Sequence, residues 1–397
     1  MTSLTLPESD HGPSAEPERE QRRAPVTVLI IFFLAVIAIV PVVQLAIEAI
    51  RGERPGLLDV FRRKPTSANL RAYERDLDDA SVAGNFLRPW IQYAQFAWLG
   101  DGGEKALVGR DGWLFYKPGL SSMLARHVPP AAGEAKDPLA AIMHFRDGLA
   151  SRGIRLAVLI GPNKESVYPD MLTRRAAGLR GLLSPSTGDI LERLRAAGVE
   201  VIDLFRAFEE ARRDASGPPL YLVEDSHWSP AGVEVAARAT ARRLQDLGWV
   251  APGGIEHEVR PAPVRRIGDV LRMLRVPLVE RQAEPESVPC VQVVRRDDGR
   301  LYRDDPDSEV LVMGDSFLRI YERDEPMSAG FIAHLARELE RPLASLVNDG
   351  GASTLVRQEL NRRPSLLRGK KVVVWEFVER DIRLGAEGWQ IVPLPHL

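Results

Sequence analysis

A chain of 397 residues with a single cysteine can form neither an internal disulfide nor a cysteine-based metal cluster. Its formal net charge of −2 gives it no overall electrostatic preference for nucleic acid, and its 45% of hydrophobic residues can fill a large core. The seven histidines include no His-Glu-x-x-His pattern, and the flanks of His227 offer too few ligands for zinc, so no metal site is predicted.

The first 48 residues of the chain do not resemble part of a globular fold. Residues 1–25 are polar and mixed in charge, which predicts a disordered tail. Residues 26–48 are almost entirely apolar, and such a stretch is long enough to cross a bilayer core of ~30 Å. A retained transmembrane anchor is favoured over a cleaved signal peptide because residues 44–51 contain no good small-residue cleavage site. Basic residues flank the stretch on both sides, so charge alone leaves its orientation open.

Strand and helix patterns alternate through most of the remaining chain. Residues 49–104 are charged with scattered aromatic side chains, which predicts a stalk and one or two packing helices, and residues 106–116 predict a hairpin. The apolar strands that follow are separated by helices, which indicates a parallel sheet covered on both faces. Residues 251–308 are rich in proline and arginine and are interpreted as an insertion. The predicted strands are 156–161, 199–204, 309–313, 343–348 and 371–377, and the predicted helices are 139–152, 190–197, 230–247, 328–339 and 353–362.

Two short strings supply the groups of a nucleophilic site. Ser316 ends the string Gly-Asp-Ser directly after a predicted strand, and Asp225 and His227 lie two residues apart just before a predicted helix. A serine hydroxyl needs a base to take its proton, and a neutral imidazole needs a carboxylate to orient it. Either string alone could be an ordinary helix-entry turn. Because both fall at the carboxyl edge of one predicted sheet, Ser316, His227 and Asp225 are predicted to be catalytic.

Acyl transfer also requires hydrogen-bond donors for the negative charge that develops on the carbonyl oxygen. The backbone amide of Ser316 is one candidate. Asn348, Gly350 and Gly351 lie at the end of the next strand, where glycine would let the backbone approach a ligand closely. A simple loop is an equally good interpretation of this glycine pair.

Other charged residues near strand ends are weaker candidates. Lys164 could meet a substrate carboxylate or be solvated, and Arg357 could point into the pocket or lie on the surface. Glu376, Glu379 and Arg380 end the last strand, and an internal ion pair is the expected arrangement for them.

These strings together resemble a known family. The chain resembles the SGNH/GDSL esterase superfamily and, more closely, the alginate O-acetyltransferases of the AlgJ and AlgX type. The combination of Asp-x-His-Trp with a later Gly-Asp-Ser is the more specific part of the resemblance. The resemblance extends over residues 105–385, and the strings that carry it are 108–116, 161–169, 225–228, 267–274, 314–317 and 373–380.

The resemblance implies an α/β, SGNH-hydrolase-like three-layer fold with a parallel sheet, formed by residues 105–390. Ordinary SGNH enzymes begin with Gly-Asp-Ser and end with Asp-x-x-His, so the reversed order here implies a circular permutation. In this mapping Ser316 is the nucleophile, His227 the base and Asp225 its orienting acid, and Asn348-Asp-Gly-Gly matches the glycine block of the oxyanion hole. Trp375-Glu-Phe stands where an asparagine block is expected, which leaves the third oxyanion donor unassigned.

The resemblance also implies O-acetylation of an exported polysaccharide in the bacterial periplasm. The chain would be a single-pass inner-membrane protein with a cytoplasmic N-terminus. Its partners would be the polysaccharide, polymer secretion proteins and a polytopic membrane O-acyltransferase that relays acetyl groups ultimately from acetyl-CoA. No bound cofactor and no nucleic-acid partner are expected. A carbohydrate acetylesterase with the same triad and a non-catalytic polysaccharide-binding scaffold are the alternatives.

Overall fold

The computed structural model describes residues 16–62, 64–125, 137–214, 216–384 and 388–395. These residues divide into two compact units, Met1–Ala94 and Gln95–Leu397. The first unit contains the apolar stretch, and the second contains every strand of the described residues.

The N-terminal unit consists of helices. They are α1 (Glu16–Arg51), a 3-10 turn (Gly56–Phe61), α2 (Ser67–Ala80) and α3 (Val82–Leu99), which runs on into the second unit. Thr27–Arg51 contains an 18-residue window with a mean hydropathy of 3.0 and is long enough to cross a membrane, a description that fits both a retained anchor and a signal sequence. Residues 16–25 of the predicted disordered tail are helical, because their glutamate, glutamine and arginine residues favour helix. Residues 1–15 lie outside the described residues.

The second unit alternates strands with helices. Its strands are β1 (Ala106–Val108), β2 (Leu114–Tyr116), β3 (Arg155–Gly161), β4 (Glu200–Ile202), β5 (His257–Pro261), β6 (Val264–Arg266), β7 (Glu286–Val288), β8 (Val291–Arg295), β9 (Val310–Gly314), β10 (Ala344–Val347) and β11 (Val372–Val378). Its helices are α4 (Lys117–Leu124), α5 (Pro138–Ala150), α6 (Lys164–Val167), α7 (Pro169–Leu172), α8 (Pro185–Ala196), α9 (Leu204–Arg212), α10 (Pro230–Asp246), α11 (Asp269–Met273), α12 (Pro277–Gln282), α13 (Ser316–Arg319), α14 (Phe331–Leu339), α15 (Leu355–Arg362) and α16 (Asp381–Leu384). Two 3-10 turns, Arg174–Ala176 and Pro364–Leu367, complete the set.

Five of these strands form the predicted parallel sheet, in the order β10-β9-β11-β3-β4. Every residue of β9 and β11 is buried, because helices cover both faces of the sheet. Alternate residues of β9 enter two different core clusters: Val312 packs with Phe317 and Trp228, whereas Met313 packs with Trp375 on the other face. The prediction of an α/β fold with a parallel sheet is confirmed. The strand that carries Gly-Asp-Ser comes late in the chain but lies inside the sheet.

The insertion 251–308 forms short antiparallel pairs, β5 with β8 and β6 with β7. It also packs against the domain, since Val288, Cys290 and Val293 belong to the same core cluster as Phe317. Gly268 approaches the loop that carries Asp225 so closely that a Cβ atom there would lie 2.1 Å from the carbonyl oxygen of Glu224. The insertion therefore forms one wall of the candidate site.

Candidate active site

The nucleophile candidate stands at the carboxyl end of a fully buried strand. Strand β9 ends at Gly314, and Asp315 caps the short helix α13 by accepting a hydrogen bond from the Phe317 amide at 2.8 Å. A Cβ atom on Gly314 would lie 2.3 Å from Oε2 of the buried Glu376, so this turn requires glycine. The turn leaves Ser316 half-buried at the sheet edge.

The candidate base and acid lie on a loop that is held at both ends. Tyr221 and Trp228 form an antiparallel bridge, and Ser229 caps helix α10 by accepting a hydrogen bond from the Gly232 amide at 3.2 Å. Within the loop, the Asp225 carboxylate accepts a hydrogen bond from the backbone amide of His227 at 3.0 Å. This local contact fixes the two side chains relative to each other.

The structure brings the three predicted catalytic side chains together. Nε2 of His227 lies 2.8 Å from Oγ of Ser316, and Nδ1 of His227 lies 2.7 Å from Oδ1 of Asp225. Asp225 and His227 are buried, so water competes little for these hydrogen bonds. The arrangement has the geometry of a nucleophile, a base and an orienting acid.

Neighbouring charges make His227 more basic and Asp225 more acidic. Burial is the largest single influence and acts to lower the pKa of His227, but the charge and hydrogen bond of Asp225 together with the charge of Asp269 raise the pKa above 6.5. Burial acts to raise the pKa of Asp225, but its contacts with the imidazole and with the Arg266 guanidinium hold it well below the usual range. Asp225 is therefore ionised at neutral pH and can stabilise an imidazolium.

Sequence reasoning missed two residues of the insertion that support this acid. The backbone amide of Asp269 donates to Oδ2 of Asp225 at 3.2 Å, and Nη2 of Arg266 lies 3.4 Å from the same oxygen. The Asp269 carboxylate accepts hydrogen bonds from the amide and the hydroxyl of Ser226, each at 2.7 Å, and its Oδ2 lies 3.6 Å from Nδ1 of His227. The string 267–274, which carries part of the family resemblance, was the available signal for Asp269.

The carboxylates of Asp225 and Asp269 and the imidazole of His227 present ligand atoms within 4.8 Å of one another. This spacing would also suit a metal ion. Each of the four carboxylate oxygens, however, already accepts a hydrogen bond. These hydrogen bonds account for the cluster, and the absence of a metal stays a prediction.

The glycine block does not present free amides in this conformation. The Gly350 amide donates to the Asn348 side chain at 2.9 Å, and the Gly351 amide donates to the Asn348 carbonyl at 3.3 Å. Their predicted role as oxyanion donors does not fit these contacts, because a local turn has captured both N–H groups. Among the described residues, none accepts a hydrogen bond from the Ser316 amide, which leaves that group as the better candidate.

Two predicted substrate-binding cations belong to the interior instead. The Lys164 ammonium donates to three backbone carbonyls, those of Leu114, Val223 and Asp225, at 2.6, 2.8 and 3.0 Å. Burial lowers the pKa of Lys164 to about 8. Lys164 therefore has no donor left for a substrate, and it ties the β1–β2 hairpin to the loop of the candidate base.

Arg357 is also buried, and its Nε donates to the Ser353 carbonyl at 2.7 Å. Its guanidinium lies 5.2 Å from the ring centroid of Trp375, on the sheet face opposite Phe317. Burial lowers the pKa of Arg357 to about 10. The prediction that Arg357 points into the pocket does not fit this position.

The three charged residues at the end of β11 do not pair with one another as expected. Glu376 accepts a hydrogen bond from the Asp315 amide at 3.2 Å, and Glu379 accepts from neutral donors, among them the Ser166 hydroxyl at 2.6 Å. Arg380 instead lies over the ring of Phe317, with 5.6 Å between guanidinium carbon and ring centroid. The positive charge of Arg380 acts to lower the pKa of His227.

Comparison with known proteins shows the family to which the chain belongs. Residues 106–379, more than half of the chain, match the family model described as the SGNH hydrolase-like domain of the acetyltransferase AlgX. The chain belongs to this family. It is 24% identical over 308 residues to the probable alginate O-acetylase AlgJ of Pseudomonas aeruginosa, covering 72% of this chain and 73% of that protein. It is 27% identical over 298 residues to the probable alginate O-acetylase AlgJ of Pseudomonas putida, covering 72% of each.

Solved structures of the AlgX family show the same architecture. The O-acetyltransferase domain of Pseudomonas putida AlgJ superposes with a TM-score of 0.56 at 25% identity, over 70% of this chain and 92% of that structure. Pseudomonas aeruginosa AlgX superposes with a TM-score of 0.50 at 18% identity, over 69% of this chain and 61% of that structure, which supports the fold alone. As a member of the AlgX family, the chain is an O-acetyltransferase.

Proposed function

We propose that this O-acetyltransferase adds acetyl groups to hydroxyls of an exported, alginate-like polysaccharide through an acetylated Ser316. The observation that carries the proposal is the 2.8 Å contact between Nε2 of His227 and Oγ of Ser316. A hydroxyl in this contact can lose its proton to the imidazole as it attacks a carbonyl carbon.

The reaction has two steps with the same proton carrier. In the first, Oγ of Ser316 attacks the acetyl carbonyl of the donor while His227 takes the hydroxyl proton. The tetrahedral intermediate then collapses, and the leaving group departs with that proton. In the second, His227 takes the proton of a sugar hydroxyl, the sugar oxygen attacks the acetyl-serine, and Ser316 leaves with the proton.

The surrounding charges support both steps. Asp225 stabilises the imidazolium that forms in each, because it is ionised and lies 2.7 Å from Nδ1. The Ser316 amide is the proposed donor to the developing oxyanion, and the guanidinium of Arg380 adds positive charge at the same sheet edge. Transfer must also outcompete hydrolysis, so the bound sugar has to reach Ser316 at high effective concentration.

The biological setting is proposed from the relatives and from the apolar helix α1. Proteins named probable alginate O-acetylase suggest an anionic exopolysaccharide as acceptor. Thr27–Arg51 would be a retained anchor in the bacterial inner membrane, with the catalytic unit in the periplasm. The acetyl donor would be a polytopic membrane O-acyltransferase, supplied from acetyl-CoA, and polymer secretion proteins would be further partners. No cofactor would be bound.

The full chain in nanodiscs, incubated with a chromogenic acetyl ester, tests the proposed nucleophile. Ser316→Ala should abolish ester turnover and the acetyl adduct that mass spectrometry detects on the peptide containing residue 316. Ser365 is exposed, and Ser365→Ala should retain both the turnover and the adduct. Unchanged turnover in Ser316→Ala would refute the assignment.

Product analysis in the presence of alginate distinguishes the related functions. Acetyl groups found on the glycan support transfer, and acetate alone at saturating glycan supports the acetylesterase alternative. Normal polymer acetylation in cells that carry only Ser316→Ala would support the non-catalytic scaffold.

A further inference from the structure

Helix α3 (Val82–Leu99) has two chemically different faces. Its only charged side chain, Arg88, lies with amide side chains on a polar face (Asn85, Arg88, Gln92, Gln95). The opposite side is an aromatic face, which we define as Phe86, Leu87, Trp90, Ile91, Tyr93 and Trp98.

The aromatic face of α3 is exposed. Trp90 and Trp98 expose 57% and 84% of their surface, and no residue of α3 is buried among the described residues. An amphipathic helix on a soluble protein normally turns its apolar face into the core. A contiguous exposed apolar face of six large side chains indicates a surface that another molecule or a membrane covers.

The first residue of α3 is tied to the candidate membrane span. Gln44, which lies within Thr27–Arg51, accepts a hydrogen bond from the Val82 amide at 2.9 Å and donates to the Ala80 carbonyl at 3.1 Å. Gln44 is buried and also donates to Glu48 at 2.9 Å. The polar groups of Gln44 are therefore paired in hydrogen bonds, which is required of polar groups close to lipid because no water is available there.

This contact fixes the depth at which α3 begins. Gln44 precedes the end of the span at Arg51 by about 10 Å along the helix axis, at a rise of 1.5 Å per residue. Because the charged Arg51 belongs among the headgroups, Val82 is held among the outer acyl chains, no more than about 10 Å below them. Tryptophan and tyrosine are the side chains enriched at the boundary between acyl chains and headgroups.

We propose that α3 lies in the membrane interface, with its aromatic face among the outer acyl chains and its polar face toward water. The inference rests on the proposed role of α1 as a membrane anchor. Lipid is favoured as the occupant because α3 starts beside the span and because its exposed face combines aliphatic side chains with indole and phenol rings.

Tryptophan fluorescence in the full chain tests the proposal directly. Helix α1 contains no tryptophan, so quenching by lipid reports on α3 and not on the anchor. In nanodiscs whose lipids carry bromine on the acyl-chain carbons nearest the headgroups, we expect the tryptophan fluorescence of the wild-type chain to be quenched relative to that in unbrominated lipid. Trp90→Phe and Trp98→Phe should each lose part of that quenching, and the double variant should lose all of it. Trp249 lies at a half-buried site in the catalytic unit, and Trp249→Phe should leave the quenching by brominated lipid unchanged.

The outcomes separate this inference from the anchor itself. Retention of the chain in the nanodisc without quenching overturns the interfacial position of α3 and leaves the anchor standing. Failure of the wild-type chain to stay in the nanodisc refutes the anchor and the inference together. Quenching that survives in the double variant also overturns the inference, because tryptophans outside α3 would then contact lipid.

Discussion

Replacement of Asp269 by asparagine is the sharpest test of how the site is supported. This carboxylate comes from the insertion and accepts two hydrogen bonds of 2.7 Å from Ser226, the residue between the candidate acid and base. Asparagine keeps one acceptor oxygen and turns an NH2 group toward the second donor. The substitution therefore removes one charge-assisted hydrogen bond and leaves the overall shape unchanged.

The expected magnitude follows from that single contact. Loss of a hydrogen bond to a charged group costs roughly 1.5–3 kcal/mol. If the loss acts through the position of His227, kcat/KM should fall roughly 10- to 150-fold, because each 1.4 kcal/mol corresponds to about a factor of ten. The negative charge of Asp269 also acts to raise the pKa of His227. Since the neutral imidazole is the proposed base, the acid limb of the pH–rate profile should move to lower pH in Asp269→Asn.

Ester hydrolysis by the full chain, measured across pH with a thermal unfolding curve for each variant, gives the readout. Asp297→Asn is the matched control, because Asp297 is an exposed carboxylate of the same insertion that pairs with Arg295. The control should match wild type in rate and in pH profile. Wild-type kcat/KM and an unmoved acid limb in Asp269→Asn would show that the insertion plays no part in positioning the base.

Three further substitutions have defined outcomes. Asp225→Asn should lower kcat for ester hydrolysis by roughly a thousand-fold or more. The acid limb of its pH–rate profile should move to lower pH, because Asp225 raises the pKa of His227. A wild-type pH–rate profile would contradict the triad. Gly314→Ala should lower the free energy of unfolding by about 1–3 kcal/mol in denaturant titrations, since its Cβ would meet Glu376 at 2.3 Å; undiminished stability would show that the turn can relax. Lys164→Met should destabilise the fold by roughly 3 kcal/mol or more, because three carbonyls lose their donor. If this variant lost polysaccharide binding but kept full stability, Lys164 would be a substrate-binding residue after all.

Local patterns were enough for the sheet and for the main chemical groups. The five apolar runs form the five parallel strands. Sites in such sheets lie at the carboxyl ends of the strands, and Ser316, His227 and Asp225 do meet there. The pattern failed where a side chain's environment depends on distant segments. Lys164 follows a strand end and looks solvent-exposed in sequence, but the β1–β2 hairpin covers it, so that its ammonium is internal.

The remaining differences have the same origin. Gly350 and Gly351 have the flexibility of an oxyanion loop, yet the neighbouring Asn348 captures both amides in a local turn. Asp269 has no sequence neighbour in the site, and only the packing of Gly268 against the Asp225 loop brings it there.

The type of fold, the apolar helix and the candidate nucleophile, base and acid could all be predicted from the amino-acid sequence. These features depend on periodicity and short-range spacing, which can be read along the chain. Tertiary structure alone decided which insertion residues support the acid, which cations are internal and which amides are free. Those outcomes depend on hydrogen bonds between segments far apart in sequence, whose distances no local pattern encodes.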